Sequence, residues 1–207
     1  DEVYIKDNPK MPLAPGGRYF TYQTRTPSTL KKALAKKSKK AARKVKKTLH
    51  TQYYITGIVE VRSKKDGYAT AKVIHSFKTI RLKDFLMPYS SRSQRIPLTG
   101  SVKGLTGRMI ISEENEAMFA QDKIAFIDKG KKDGVLPGQM YNIFYPEEKD
   151  SSELFGGTSL FIPIDFAKCL VLHSEETAST VLIVSSEKSI SPGDAFRAPE
   201  EEEIPGT

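Results

Sequence analysis

Two stretches of the chain repeat two others without a gap, and this duplication constrains the fold more than any other feature. "VYIKDNPKMPLAPGGRYFTYQ" (3–23) aligns with "AFIDKGKKDGVLPGQMYNIFY" (125–145) at a constant offset of 122 positions. Ile5 meets Ile127, Lys10 meets Lys132, Pro15 and Gly16 meet Pro137 and Gly138, and Tyr19 meets Tyr141. "GIVEVRSKKDGYATAKVIHSFKTIRLKDFLM" (57–87) aligns with "AKCLVLHSEETASTVLIVSSEKSISPGDAFR" (167–197) at an offset of 110. Val61 meets Val171, Ser76 meets Ser186, Lys78 meets Lys188, Ile80 meets Ile190 and Asp84 meets Asp194. The offset falls by 122 − 110 = 12, so the first copy holds twelve more residues between its two blocks.

Each copy reads as strands separated by turns. "VYI" and "KIAFI" are short runs rich in β-branched and aromatic residues. "KKDGVLPGQ" carries the turn dipeptides Asp133-Gly134 and Pro137-Gly138. "RYFTYQ" and "MYNIFY" return as second strands, and two longer strands follow around "SKKDG" or "SEET". Alternation puts Val59, Val61, Ala71 and Val73 on one face, matched by Cys169, Val171, Val181 and Ile183. About five strands in each of two such copies predict a mainly β chain of two tandem barrel-like units. "GRMIIS" (107–112) adds a strand at the start of the second. The expected boundaries are 1–98, 99–199 and an acidic flexible tail over 200–207.

The longer gap between the two blocks of the first copy, residues 24–56, contains "KKALAKKSKKAARKVKK", where ten of seventeen residues are Lys or Arg. The pattern predicts one α-helix inserted in the first unit at about 28–49. Thr26-Pro27 offers an N-cap and a first-turn proline, and Leu30, Leu34, Ala41 and Val45 share one stripe. Like charges four residues apart, such as Lys32 and Lys36, oppose that helix by a few tenths of a kcal/mol per pair. The anion-binding candidates are Lys31, Lys32, Lys36, Lys37, Lys39, Lys40, Arg43, Lys44, Lys46 and Lys47. Clustered like charge of this density favours a polyanionic partner. The run has no aromatic residue for base stacking, and its apolar stripe is too slight for more than weak contact with a lipid surface.

Charge is unevenly shared. Residues 151–207 carry three basic and ten acidic side chains, a net of −7, so the first 150 carry +15 of the total +8. The single cysteine, Cys169, forms no disulfide within the chain and pairs in the repeat with Val59, which suits a small buried side chain. No apolar run reaches the ~20 residues of a helical membrane span.

The second copy resembles the C-terminal region of bacterial LysM peptidoglycan-binding domain-containing proteins. The resemblance rests on "TGRMIIS", on the turn of Gly130, Asp133, Gly134 and Gly138, and on the closing Gly193-Asp194 turn before proline. The first copy follows with "TIRLKDFLMP", where Lys83 replaces the glycine of the closing turn. The resemblance implies an exported, periplasmic or envelope-associated protein held near peptidoglycan, with no catalytic residues to carry over. The LysM module is absent from these residues, and the basic insertion is outside the family pattern.

No enzymatic constellation emerges. "GSVKGLTGR" (100–108) lacks the Gly-Lys-Ser/Thr opening of a phosphate loop, and "GGTSL" has no nucleophile elbow. His50, His75 and His173 lie far apart, with no paired-ligand spacing, so neither metal nor cofactor is expected. Asp84 and Asp194 suit turn-capping hydrogen bonds. The expected function is a non-enzymatic envelope scaffold or docking module whose basic segment meets an anionic polymer or lipid surface. Its partners would be envelope proteins or a peptidoglycan-linked assembly, and a nucleic-acid-binding protein is the alternative.

Overall fold

The computed structural model describes residues 1–8, 11–25, 51–91, 93, 95–149 and 160–200. Among the described residues, contacts gather 1–25 and 51–93 into one compact unit and 95–200 into a second. The first unit contains β1 (Glu2–Lys6), β2 (Arg18–Arg25), β3 (Gln52–Lys65), β4 (Tyr68–Ser76) and β5 (Phe85–Pro88). The second contains β6 (Thr106–Ser112), β7 (Ile124–Ile127), β8 (Met140–Lys149), β9 (Leu160–Ser174), β10 (Ser179–Ser186) and β11 (Ala195–Arg197).

The duplication is built into the strands. β1 and β2 correspond to β7 and β8 at the offset of 122, and β3, β4 and β5 to β9, β10 and β11 at 110. The sheet order is also the same: β1-β4-β3-β2-β5 in the first unit, and β7-β10-β9-β8-β11 within the second. Individual hydrogen bonds repeat. Gly16 N donates to Val61 O at 2.8 Å, and Gly138 N to Val171 O at 2.9 Å. Val61 N donates to Gly17 O at 3.0 Å, and Val171 N to Gln139 O at 2.9 Å.

The two copies nevertheless end differently, one as a closed barrel and the other as a half-barrel sheet. In the second unit β6 pairs with both β7 and β11 and closes a six-stranded barrel. Nothing among the described residues plays that part in the first unit, which is an open five-stranded sheet with β1 and β5 at its edges. The α-helix expected in the first unit is not part of the described fold. Among the described residues there is no α-helix, only a short 3-10 turn at Lys131–Asp133. The stretch at about 28–49 and the tail beyond Glu200 lie outside the described residues.

Alternation sets both cores. Val59, Val61 and Ala71 are fully buried, as are their counterparts Cys169, Val171 and Val181. Between them Glu60 points outward, within 3.1 Å of Arg18 and 3.2 Å of Arg62. The β3–β4 hairpin turns on Asp66-Gly67, both at positive φ (52° and 80°), which matches the twist of the strands it joins. Closure explains why the second core is the larger. Ala125, Ile127, Ile190 and Phe196 are 0% exposed. Their first-unit equivalents Val3, Ile5, Ile80 and Leu86 are only half-buried. Full burial of such a side chain contributes about 1.5–3 kcal/mol relative to exposure.

The residues that carry the LysM-type resemblance have structural work. Asp133 Oδ2 accepts the Gly130 N–H at 3.0 Å. Gly138 sits at φ 94°, where a Cβ would lie 2.0 Å from the Pro97 carbonyl oxygen. In the closing turns Arg81 N donates to Asp84 Oδ2 at 3.0 Å and Ser191 N to Asp194 Oδ2 at 2.7 Å. Both aspartates are thus turn caps, as the repeat predicts.

Candidate anion-binding site

The ten basic candidates, from Lys31 to Lys47, lie outside the described residues, but the strands that bracket them are placed. β2 ends at Arg25, β3 begins at Gln52, and these two residues are cross-strand partners. The basic segment therefore leaves and re-enters the first unit at the same end of two adjacent strands.

A cleft of about 220 Å³ is lined by Gln23, Arg25, Tyr54, Thr56, Lys78, Thr79 and Arg81. β2 and β3 supply the first four, with Gln23 directly opposite Tyr54. The β4–β5 connection supplies the others. Tyr54 organises the basic groups. The Arg25 guanidinium carbon is 3.9 Å from its ring centroid and the Lys78 Nζ is 4.1 Å away. Lys78 Nζ also donates to the Tyr54 hydroxyl. Contacts of a cation with an aromatic face contribute about 0.5–1 kcal/mol at exposed sites.

Below the cleft, Asp84 is engaged by its own fold. Its Oδ1 accepts from Gln23 Nε2 at 2.9 Å, and its Oδ2 lies 3.0 Å from Thr56 Oγ1. Thr56 Oγ1 is also 2.8 Å from Thr21 Oγ1. A hydroxyl has one proton, so Thr56 donates to the carboxylate and Thr21 donates to Thr56. The lining itself contains three cationic side chains and no carboxylate. That composition suits phosphate or carboxylate oxygens.

Part of this arrangement is repeated. Lys188, the counterpart of Lys78, lies 4.3 Å from the Tyr145 ring centroid and donates to its hydroxyl at 2.6 Å. Ser76 and Ser186 each donate to the carbonyl of the lysine two residues on, at 2.9 and 3.1 Å. The tyrosines come from different strands, β3 and β8, so the sequence alignment does not pair them.

Of the remaining sequence candidates, His50 lies outside the described residues and the others have structural roles. Cys169 is fully buried, and burial pushes its thiol up to about 12, well away from a reactive thiolate. His75 packs against Phe77 at 5.1 Å, and His173 Nε2 lies 2.8 Å from Glu175 Oε1. Among the described residues no group of His, Cys, Asp and Glu forms a metal site. Sequence reasoning missed Arg25, Tyr54 and Arg81, because their meeting depends on cross-strand register. The matched lysines Lys78 and Lys188 were the available signal.

No protein-family model matches the chain, and no curated protein matches it significantly.

Proposed function

We propose that the protein is a non-enzymatic docking module of the bacterial envelope, whose first unit contacts an anionic partner through its basic segment and the adjoining Arg25–Tyr54–Lys78–Arg81 cleft. The observation that carries this reading is topological. The strands that flank the ten-cation segment in sequence meet at the Arg25–Gln52 pair, and Arg25 lines a cleft that is itself cationic. A basic segment joined to the sheet beside a cationic cleft adds to the local positive potential. The envelope setting and the peptidoglycan-linked partners come from the resemblance to LysM-containing proteins.

The test is co-sedimentation of the purified chain with isolated peptidoglycan sacculi that retain their anionic polymers. The expected result is binding that weakens with salt and is lost when the ten basic residues are replaced by Gln. Tighter binding to duplex DNA than to sacculi, with log K falling about 0.9 per phosphate neutralised against log salt, would transfer the site to nucleic acid.

A further inference from the structure

We propose that the open edge of the first unit is the seat of an extended strand from a partner polypeptide, lying along β1 and the Lys83–Leu86 edge as β6 lies along β7 and β11. This deepens the docking reading and rests on it. The second unit supplies the template. There, Glu113 N donates to Ile124 O at 2.8 Å and Asp128 N to Arg108 O at 3.1 Å. Gly193 N donates to Met109 O, and Met109 N to Asp194 O, both at 2.8 Å. The positions equivalent to Ile124, Asp128, Gly193 and Asp194 are Glu2, Lys6, Lys83 and Asp84.

The backbone of the first unit keeps the same directions. Asp7 N bonds Gly67 O, and Asp1 O accepts from Val73 N, so the odd residues of β1 face β4. By the alternation of an antiparallel ladder, Glu2, Tyr4 and Lys6 turn their N–H and C=O groups to the open side. Beneath that side lie the half-buried Val3, Ile5 and Leu86, whose equivalents are sealed by β6. An added strand would gain main-chain hydrogen bonds and cover these side chains, the two contributions that define strand addition. Pro88, equivalent to Ala198, has no N–H to offer, so the seat is one bond shorter than its template.

Charge specifies the partner. In the second unit Arg108 is held by acceptors: its N–H meets Asp128 Oδ1 at 2.7 Å and its Nη1 meets Gly193 O at 2.8 Å. In the first unit both equivalents of those residues are exposed lysines, Lys6 and Lys83. The partner strand therefore carries apolar side chains at alternate positions, as Met109 and Ile111 do, and an acidic residue where β6 has Arg108.

The experiment uses the full chain and two synthetic peptides: residues 104–113 of β6 and its flanks, and the same peptide with Arg108→Glu. Binding is read by titration and by residue-level amide hydrogen exchange. The expected result is slowed exchange at Lys6 and Leu86, and affinity about fivefold or more in favour of the Arg108→Glu peptide. Lys6→Glu with Lys83→Glu reverses that preference. Both substitutions are on the surface, and a circular dichroism spectrum confirms that the variant is folded. Three results overturn the proposal: no slowing at Lys6 and Leu86 with either peptide, a preference that does not reverse, or slowing that grows with chain concentration in the absence of peptide. The last would make a second copy the occupant. Because no envelope material is present, failure here is distinct from failure to bind sacculi.

Discussion

Arg197 grips Asp165 through two parallel hydrogen bonds, Nε to Oδ1 and Nη2 to Oδ2, each 3.0 Å. The pair spans from β11 to β9 across β8, and Asn142 of β8 donates to the same carboxylate at 2.8 Å. Hydrogen bonding to Asp165 is the main reason the Arg197 guanidinium is held above its ordinary value. The equivalent positions in the first unit are Met87, Ile55 and Phe20. One fold thus fills the same place with either a bidentate ion pair or apolar side chains. Arg197→Met and Asp165→Ile, each alone, remove the bidentate pair, leaving Asp165 with Asn142 or Arg197 with Glu200, and are expected to cost about 1–3 kcal/mol. The double variant is expected to cost less than the sum, with positive coupling in a double-mutant cycle by urea denaturation.

Lys83 occupies a left-handed backbone position, φ 74°, where its counterpart is Gly193 at φ 97°. A side chain there is strained by about 1–2 kcal/mol. Glycine removes that strain but gains freedom in the unfolded chain. Lys83→Gly is therefore expected to stabilise the first unit by about 0.5–1 kcal/mol in urea melts. Gly193→Lys is expected to destabilise the second by more than that.

Cys169 gives a pH-dependent signature. Its folded pKa is raised to about 12 by burial. A raised value means that the folded state holds the proton more tightly than the unfolded state. The associated stability is complete below the unfolded thiol pKa of about 8.5, and is lost as pH rises from there through the folded value. Native protein is expected to resist alkylation at pH 8 until it is denatured. Cys169→Val, which installs the residue of the first copy, is expected to change stability by under about 1.5 kcal/mol. It should also flatten the alkaline limb of the stability profile.

The repeat made most of this fold legible in the sequence. Each of β1 to β5 has its partner at the stated offset, because strand alternation and turn chemistry are local properties. Closure was not legible, since it depends on a strand, β6, that stands outside the duplicated blocks. The assumption of equivalence hid the difference between Ile5 and Ile127, which are identical in type and unlike in burial. The cleft was hidden for a related reason: Arg25, Tyr54 and Lys78 come from three separate segments and meet only through register. The basic segment was plain from composition, and the strands place the residues that flank it, Arg25 and Gln52.

The cleft makes its own prediction. Arg25→Gln with Arg81→Gln is expected to weaken binding of the chain to an anionic polymer by several-fold at low salt. The effect should shrink as ionic strength rises through about 0.15 M, where the screening length falls to about 8 Å. Titration against a polyanion such as heparin at two salt concentrations measures it. Unchanged affinity at both would remove the cleft from the contact.

The first unit is the second without its closing strand. Native-state amide exchange at two equivalent positions tests it most directly. Asp128 N–H is bonded to β6, whereas Lys6 N–H faces an open edge. Asp128 is expected to exchange slower than Lys6 by at least about a hundredfold after correction for intrinsic rates. Equal protection of Lys6 and Asp128 in the chain alone would contradict it.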